Sequence, residues 1–237
     1  MKLEKVTEPA LAAKRWYDDA CGMAFALEVV GERWTPLILR ELMYGPRRFS
    51  EIKRGVPGIS ANVLTQRLDG LEIAGVLVRR KLPPPANAQV YELTPWGYES
   101  EAAMAALGRW AVRSPLHDPR LPLSGASLMM SFRTMIAPER ADGIDARIGF
   151  RMGTDPFDTH LHDGTLDVAR AEPDAVDLLF TAPEARNIAA AVYAGQPLAG
   201  LEAAGALTIA GDRDLAERFV TLFPLPPKIG AESEAHA

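Results

Sequence analysis

A two-domain α+β chain is predicted by three observations: the length, a charge break near the middle, and a change of hydrophobic rhythm at the same place. The 237 residues are too many for one small module and suit two domains of ordinary size. Residues 1–117 carry 16 basic against 13 acidic side chains, and residues 118–237 carry 10 against 18. The halves therefore have net charges of +3 and −8 within a total of −5. Between them lies Ser114-Pro-Leu-His-Asp-Pro-Arg-Leu-Pro-Leu-Ser124, whose three prolines forbid a regular helix. The expected domains are residues 1–117 and 122–228.

Composition excludes several classes. With 48% hydrophobic and 24% charged residues the chain reads as globular. No apolar run approaches the roughly 18 residues that span a bilayer, so no membrane partner is expected. Met1–Lys14 mixes charges of both signs and lacks the apolar core of a signal peptide. The single cysteine, Cys21, cannot form an internal disulfide. A cytoplasmic address is expected. No nucleophile elbow, phosphate loop or paired Cys-X-X-Cys motif occurs, so neither an enzyme nor a cofactor is expected.

The first half is helical and punctuated. Residues 21–30 form an apolar helix closed by Gly31. Trp34, Leu37, Ile38 and Leu42 then share one helical stripe that Gly45-Pro46 stops. A short helix spans Ser50 to about Gly55, and Pro57-Gly58 turns the chain. A third helix begins at Ser60, a suitable N-cap, with Ile59 and Leu64 placed as a hydrophobic staple. Val76–Leu82 and Gln89–Leu93 read as a β-hairpin, and a helix from Trp96 to about Val112 closes the half. Two short helices, a longer one and a basic hairpin are the layout of a winged helix-turn-helix.

Periodicity assigns the faces of the third helix. Leu64, Leu68 and Leu71 cluster on one side and must face the core. Asn62, Thr65, Gln66 and Asp69 then point away, with Arg67 on the flank. Amides can pair two ways with adenine and a guanidinium with guanine, so this face is fit to read a major groove. Ser60 is given a positioning role. Arg47, Arg48, Arg79, Arg80 and Lys81 are expected to neutralise phosphates and set register. A merely solvated face and a charged edge strand would use the same residue types. The order of elements, and a net charge of +6 within residues 33–81, favour double-stranded DNA.

Five linked stretches carry a resemblance: Cys21-Gly-Met23, Val30–Leu42, Arg48–Ile52, Gly58–Leu68 and Tyr91–Gly97. Together they resemble the HxlR family of MarR-like winged-helix transcription regulators, over roughly residues 15–113. The resemblance implies a homodimer on a pseudo-palindromic operator, joined through the first and last helices of the domain. It also implies an alternative in which Cys21 senses oxidants or electrophiles. A small thiol at a helix start can equally be plain packing.

In the acidic half, residues 125–140 are expected to form an apolar helix. Strands are expected at 146–152, 158–162, 165–169 and 177–181, with Asp163-Gly164 as a hairpin turn. A helix from Pro183 to Gly195, a strand at 206–210 and a helix from Asp212 to about Leu222 complete an α+β domain with a mainly antiparallel sheet. Gly205–Asp212, with Asp177–Thr181 and Tyr193–Pro197, resembles the sterol-carrier-protein-like fold. That likeness implies a cavity for an apolar small molecule or lipid, and Met129, Met130, Phe132 and Met135 are candidate walls. Ordinary core packing would use the same residues. Asp158, His160 and His162 share one strand face, yet their place beside a turn favours a solvated face over a metal site. The expected protein is a dimeric, sequence-specific regulator controlled by an effector in its second domain.

Overall fold

The structure is a computed structural model that describes residues 17–230. Met1–Lys14, read above for its charge, lies outside the described residues. The chain divides into two compact units, Met1–Glu101 and Ala102–Ala237.

The first unit opens with α1 (Gly22–Val30), α2 (Thr35–Leu42), α3 (Phe49–Gly55) and α4 (Ala61–Ile73). The hairpin strands β1 (Leu77–Lys81) and β2 (Gln89–Leu93) follow, then α5 (Pro95–Ala111). Three of the helix starts have a local cause. Pro36 lies in the first turn of α2, where its missing N–H costs nothing. Glu51 accepts the Arg48 N–H at 2.8 Å and so holds the start of α3. The Ser60 hydroxyl accepts the Val63 N–H at 3.2 Å, which caps α4 as expected. The core is aliphatic: Ile38, Leu39, Leu42, Ile52, Leu64, Leu68 and Leu77 are sealed from solvent. Each buried leucine or isoleucine contributes roughly 1.5–3 kcal/mol relative to exposure.

The hairpin pairs Leu77 with Leu93 and Lys81 with Gln89. Arg47 adds a bridge on its other side, its N–H donating to Tyr91 O at 2.9 Å and its carbonyl accepting from Tyr91 N at 2.8 Å. Gly97, in the first turn of α5, lies so close to the Val76 carbonyl that a Cβ there would collide with it. Further along, α5 buries no other residue, and the compact units divide inside it.

The second unit contains α6 (Gly125–Met135), α7 (Pro138–Ala141), β3 (Ala146–Met152), β4 (Asp155–His162), β5 (Thr165–Ala169) and β6 (Leu178–Ala182). After these come α8 (Ala185–Ala194), α9 (Leu198–Ala203), β7 (Thr208–Gly211) and α10 (Arg213–Phe219). The sheet order is β5-β4-β3-β6-β7, antiparallel throughout except for the parallel β3–β6 pair.

Three details depart from the sequence reading. The helix expected over 125–140 ends at Met135: Ala137, directly before Pro138, is held extended (ψ 103°), and Ile136 ahead of it is extended too (ψ 134°). Strand β4 begins three residues early and runs through Pro156. That residue pairs only with β3, beyond the reach of β5, where a missing N–H breaks no ladder bond. Helix α9 was not expected; Pro197 starts it, and buried Leu198 and Leu201 hold one side down.

Aromatic rings fill the core of this unit. Phe132 of α6 stacks on Phe223 with centroids 4.4 Å apart and meets Phe219 edge-on at 5.5 Å. Phe150 of β3 stacks on Phe180 of β6 at 5.5 Å. Such pairs add about 0.5–1.5 kcal/mol each beyond the area they bury.

Candidate nucleic-acid interface

Helix α4 presents two chemically distinct faces. Leu64 and Leu68 are fully buried and Leu71 nearly so, while Asn62, Thr65 and Gln66 are exposed. The amide pair therefore stands on the solvent side, backed by a leucine seam buried in the core of the unit. Arg67 is half-buried and reaches Glu32 at 2.9 Å, so part of its charge is already answered. A rigid helix with two exposed amides and a hydroxyl offers bidentate donors and acceptors to base edges.

The basic residues expected to touch phosphate divide into two groups. Arg48, Arg80 and Lys81 are exposed, with Arg80 paired to Glu92 at 2.6 Å. Arg47 is buried, and the expectation that it meets phosphate is corrected. Its Nη1 donates to Glu41 Oε2 at 2.7 Å, and Arg40 holds the other oxygen of that carboxylate at 3.1 Å. Arg40 also donates to Gly55 O at 3.1 Å, and the Glu41 carboxylate fills the space a side chain at position 55 would need. The cluster joins α2, α3 and the strand bridge at Arg47. It holds the fold and faces no open groove. From sequence, an arginine after a Gly-Pro stop looks like a surface cation, and its partner Glu41 shows itself only in the structure. Arg79 is engaged too, by Asp69 and by Glu72 at 3.0 Å, both on α4.

Cys21 is exposed at the N-cap of α1. The backbone amides of Met23 and Ala24 at the start of α1 draw the thiol below its usual pKa. Helix α1 itself buries none of its residues and leaves Met23, Phe25 and Leu27 exposed. Leu107 and Trp110, late in α5, are exposed as well.

In the second unit, Met129, Phe132 and Met135 are buried and Met130 is half-buried. The first three belong to the packed core around the phenylalanine cluster. They stand outside the walls of the two surface cavities described next. One cavity, of about 360 Å³, has Ala191, Val192, Leu198, Val220 and Phe223 in its wall, with Arg140 and Glu217 at its polar side. The other, of about 600 Å³, is flanked by Asp142, Asp145, His160, His162 and Asp163.

Asp158, His160 and His162 do share one face of β4, but each has its own partner: Arg147, Asp145 at 2.7 Å, and Asp167 at 3.0 Å. Asp167, assisted by Asp163, raises the His162 pKa above the ordinary imidazole range. Among the described residues no group of three or more His, Cys, Asp or Glu could hold a metal ion. Tyr193, half-buried and hydrogen-bonded with Ser131 Oγ at 2.5 Å, is pushed up to about 12 by desolvation. No helix among the described residues is long and apolar enough to cross a membrane.

Three helices, a capped fourth with exposed amides and a basic hairpin define a winged helix-turn-helix of the DNA-binding kind. A profile described as HxlR-like helix-turn-helix matches residues 29–117. YvaP of Bacillus subtilis, an uncharacterised HTH-type transcriptional regulator, is 35% identical over 86 residues, which cover 36% of this chain and 80% of that protein. The HTH-type transcriptional regulator YodB of the same organism is 37% identical over 89 residues, 38% of this chain and 80% of its own. The solved reduced form of YodB aligns at 34% identity over 41% of this chain and 98% of that one, with a TM-score of 0.38. The chain belongs to the HxlR-like helix-turn-helix family and is a DNA-binding transcriptional regulator. Residues beyond 117 lie outside the family match.

Proposed function

We propose that this regulator binds a specific duplex operator as a homodimer and answers to an apolar small molecule in its second domain. The observation that carries the reading is the outward face of α4, where Asn62, Thr65 and Gln66 are exposed over buried Leu64, Leu68 and Leu71. In this reading α4 enters the major groove, Asn62, Thr65, Gln66 and the flanking Arg67 contact bases, and Ser60 fixes the helix start near phosphate. Arg48, Arg80 and Lys81 neutralise backbone charge. Dimerisation uses the exposed apolar residues of α1 and of the end of α5, Met23 and Leu27 on the one and Leu107 and Trp110 on the other. Two half-sites about 34 Å apart then make affinity sensitive to the spacing of the two recognition helices. The domains proposed are 1–117 for DNA binding and dimerisation and 122–228 for the effector.

For the second domain, a sterol-carrier-like role is supported by helices packed on a mainly antiparallel sheet. The apolar wall of the 360 Å³ cavity supports it too, a size within the range of small-molecule sites. An effector acts only through its different affinity for the two spacings of the dimer. Duplexes selected from a random library by the full-length protein test the DNA reading. Binding should survive competitor DNA and weaken steeply with salt; equal affinity for every sequence would refute it. Native mass spectrometry of the purified protein should show an apolar adduct on the second domain.

A second reading is favoured by the exposure and lowered pKa of Cys21. In it, oxidants or electrophiles act on the thiolate and change DNA affinity. Cys21→Ser protein that keeps its full response to oxidant removes this alternative.

A further inference from the structure

Arg79 of β1 has partners on two other elements, α4 and β2. Its Nη2 meets the Asp69 carboxylate, its Nε lies 3.0 Å from Glu72 Oε2, and its Cζ stands 5.5 Å from the centre of the Tyr91 ring. Asp69 and Glu72 are three residues apart on α4, so both carboxylates leave the same face of the helix. Tyr91 is the cross-strand partner of Arg79 in the hairpin. On its far side Tyr91 is pinned by the backbone bridge to Arg47, which the buried Glu41 holds in turn.

We infer that Arg79 is a positioning residue that locks the wing to the recognition helix and makes no phosphate contact of its own. The inference rests on the DNA-binding reading above for its consequence, though not for its geometry. A planar guanidinium has a fixed fork of donors, and two sides of this one already face carboxylates. A phosphate approaching Arg79 would meet two negative charges before reaching it. Lys81 is differently placed: it is exposed at the end of β1, where a strand hands over to the hairpin tip. The wing therefore divides its cations by task. Arg79 sets the angle between hairpin and helix, and Lys81 neutralises the duplex.

The test has an arm without DNA and an arm with it. In the free full-length protein, Arg79→Ala and the isosteric pair Asp69→Asn with Glu72→Gln should both speed hydrogen exchange of the β1–β2 amides about tenfold. Exchange as slow as in the parent in both proteins overturns the lock. With a library-selected duplex, Arg79→Ala should lower affinity several-fold yet leave the slope of log K against log salt unchanged. Lys81→Ala should reduce that slope by roughly 0.9, the share of one phosphate. If Arg79→Ala loses that same share of slope while the hairpin stays protected, Arg79 is a phosphate ligand and the inference fails. Should the parent protein bind no selected duplex, the DNA reading fails, and the exchange arm still decides the lock.

Discussion

Helices α4 and α6 start alike and end in opposite roles. Each is capped by a serine whose hydroxyl accepts the amide three residues on, Ser60 from Val63 at 3.2 Å and Ser124 from Ser127 at 3.0 Å. Helix α4 buries three leucines and leaves Asn62, Thr65 and Gln66 in solvent. Helix α6 buries seven of its residues, Phe132 at the centre of a ring cluster among them. A cap determines where a helix begins and nothing about its use. What packs on its far side decides whether its side chains meet a partner or the interior.

Five measurements can break or sharpen that comparison. The largest effect is expected at the buried centre of each unit. Phe132→Ala removes a ring that touches Phe150, Phe219 and Phe223, and should cost about 3–5 kcal/mol in denaturant unfolding of the second unit. Glu41→Ala leaves Arg47 buried beside Arg40 with no carboxylate between them, and should cost the first unit about 3–5 kcal/mol. A loss under 1 kcal/mol at either site would mean that the centre is looser than its packing suggests.

Next comes the solvent face of α4. Gln66→Ala should relax base preference at one operator position by about 1–3 kcal/mol with little change in thermal stability. A large stability loss with specificity intact would return Gln66 to the fold. The caps follow: Ser60→Ala and Ser124→Ala should each cost about 1 kcal/mol, since the same bond is lost in both. Unequal costs, read by chemical denaturation, would show that one cap has taken on a further task.

The smallest effect is electrostatic. The His162 pKa is raised by Asp167 and Asp163, so the charged imidazole adds stability at low pH, and the gain fades as pH rises through the raised value. An NMR titration should place His162 above the ordinary imidazole midpoint, and Asp167→Asn should bring it down. An unchanged midpoint in that variant would remove Asp167 as the cause.

Much of the reading head was legible in the chain. Ser60 as a cap, the leucine seam and the outward amides follow from a period of 3.6 residues, because one helix needs no long-range partner to define its faces. The division of the basic residues was not legible. Arg47, Arg48, Arg79, Arg80 and Lys81 look alike in sequence, yet Arg47 is sealed against Glu41 and Arg79 is held by two carboxylates of α4. Those partners stand 6, 10 and 7 positions away in the chain, on other elements, and no local pattern links them. The methionines of α6 were equally ambiguous. Apolar spacing announces burial and does not say whether the neighbour is a side chain or a cavity.

The sequence by itself determined the winged-helix order, the caps, the faces of α4 and the family, because these depend on short-range geometry and on local residue types. Only the tertiary structure decided which arginines remain in solvent, that Phe132 packs on rings with Met129 and Met135 buried on the same helix, and that β4 extends through Pro156. Each of those depends on what a distant segment brings within a few ångströms, where Coulomb attraction and close packing act.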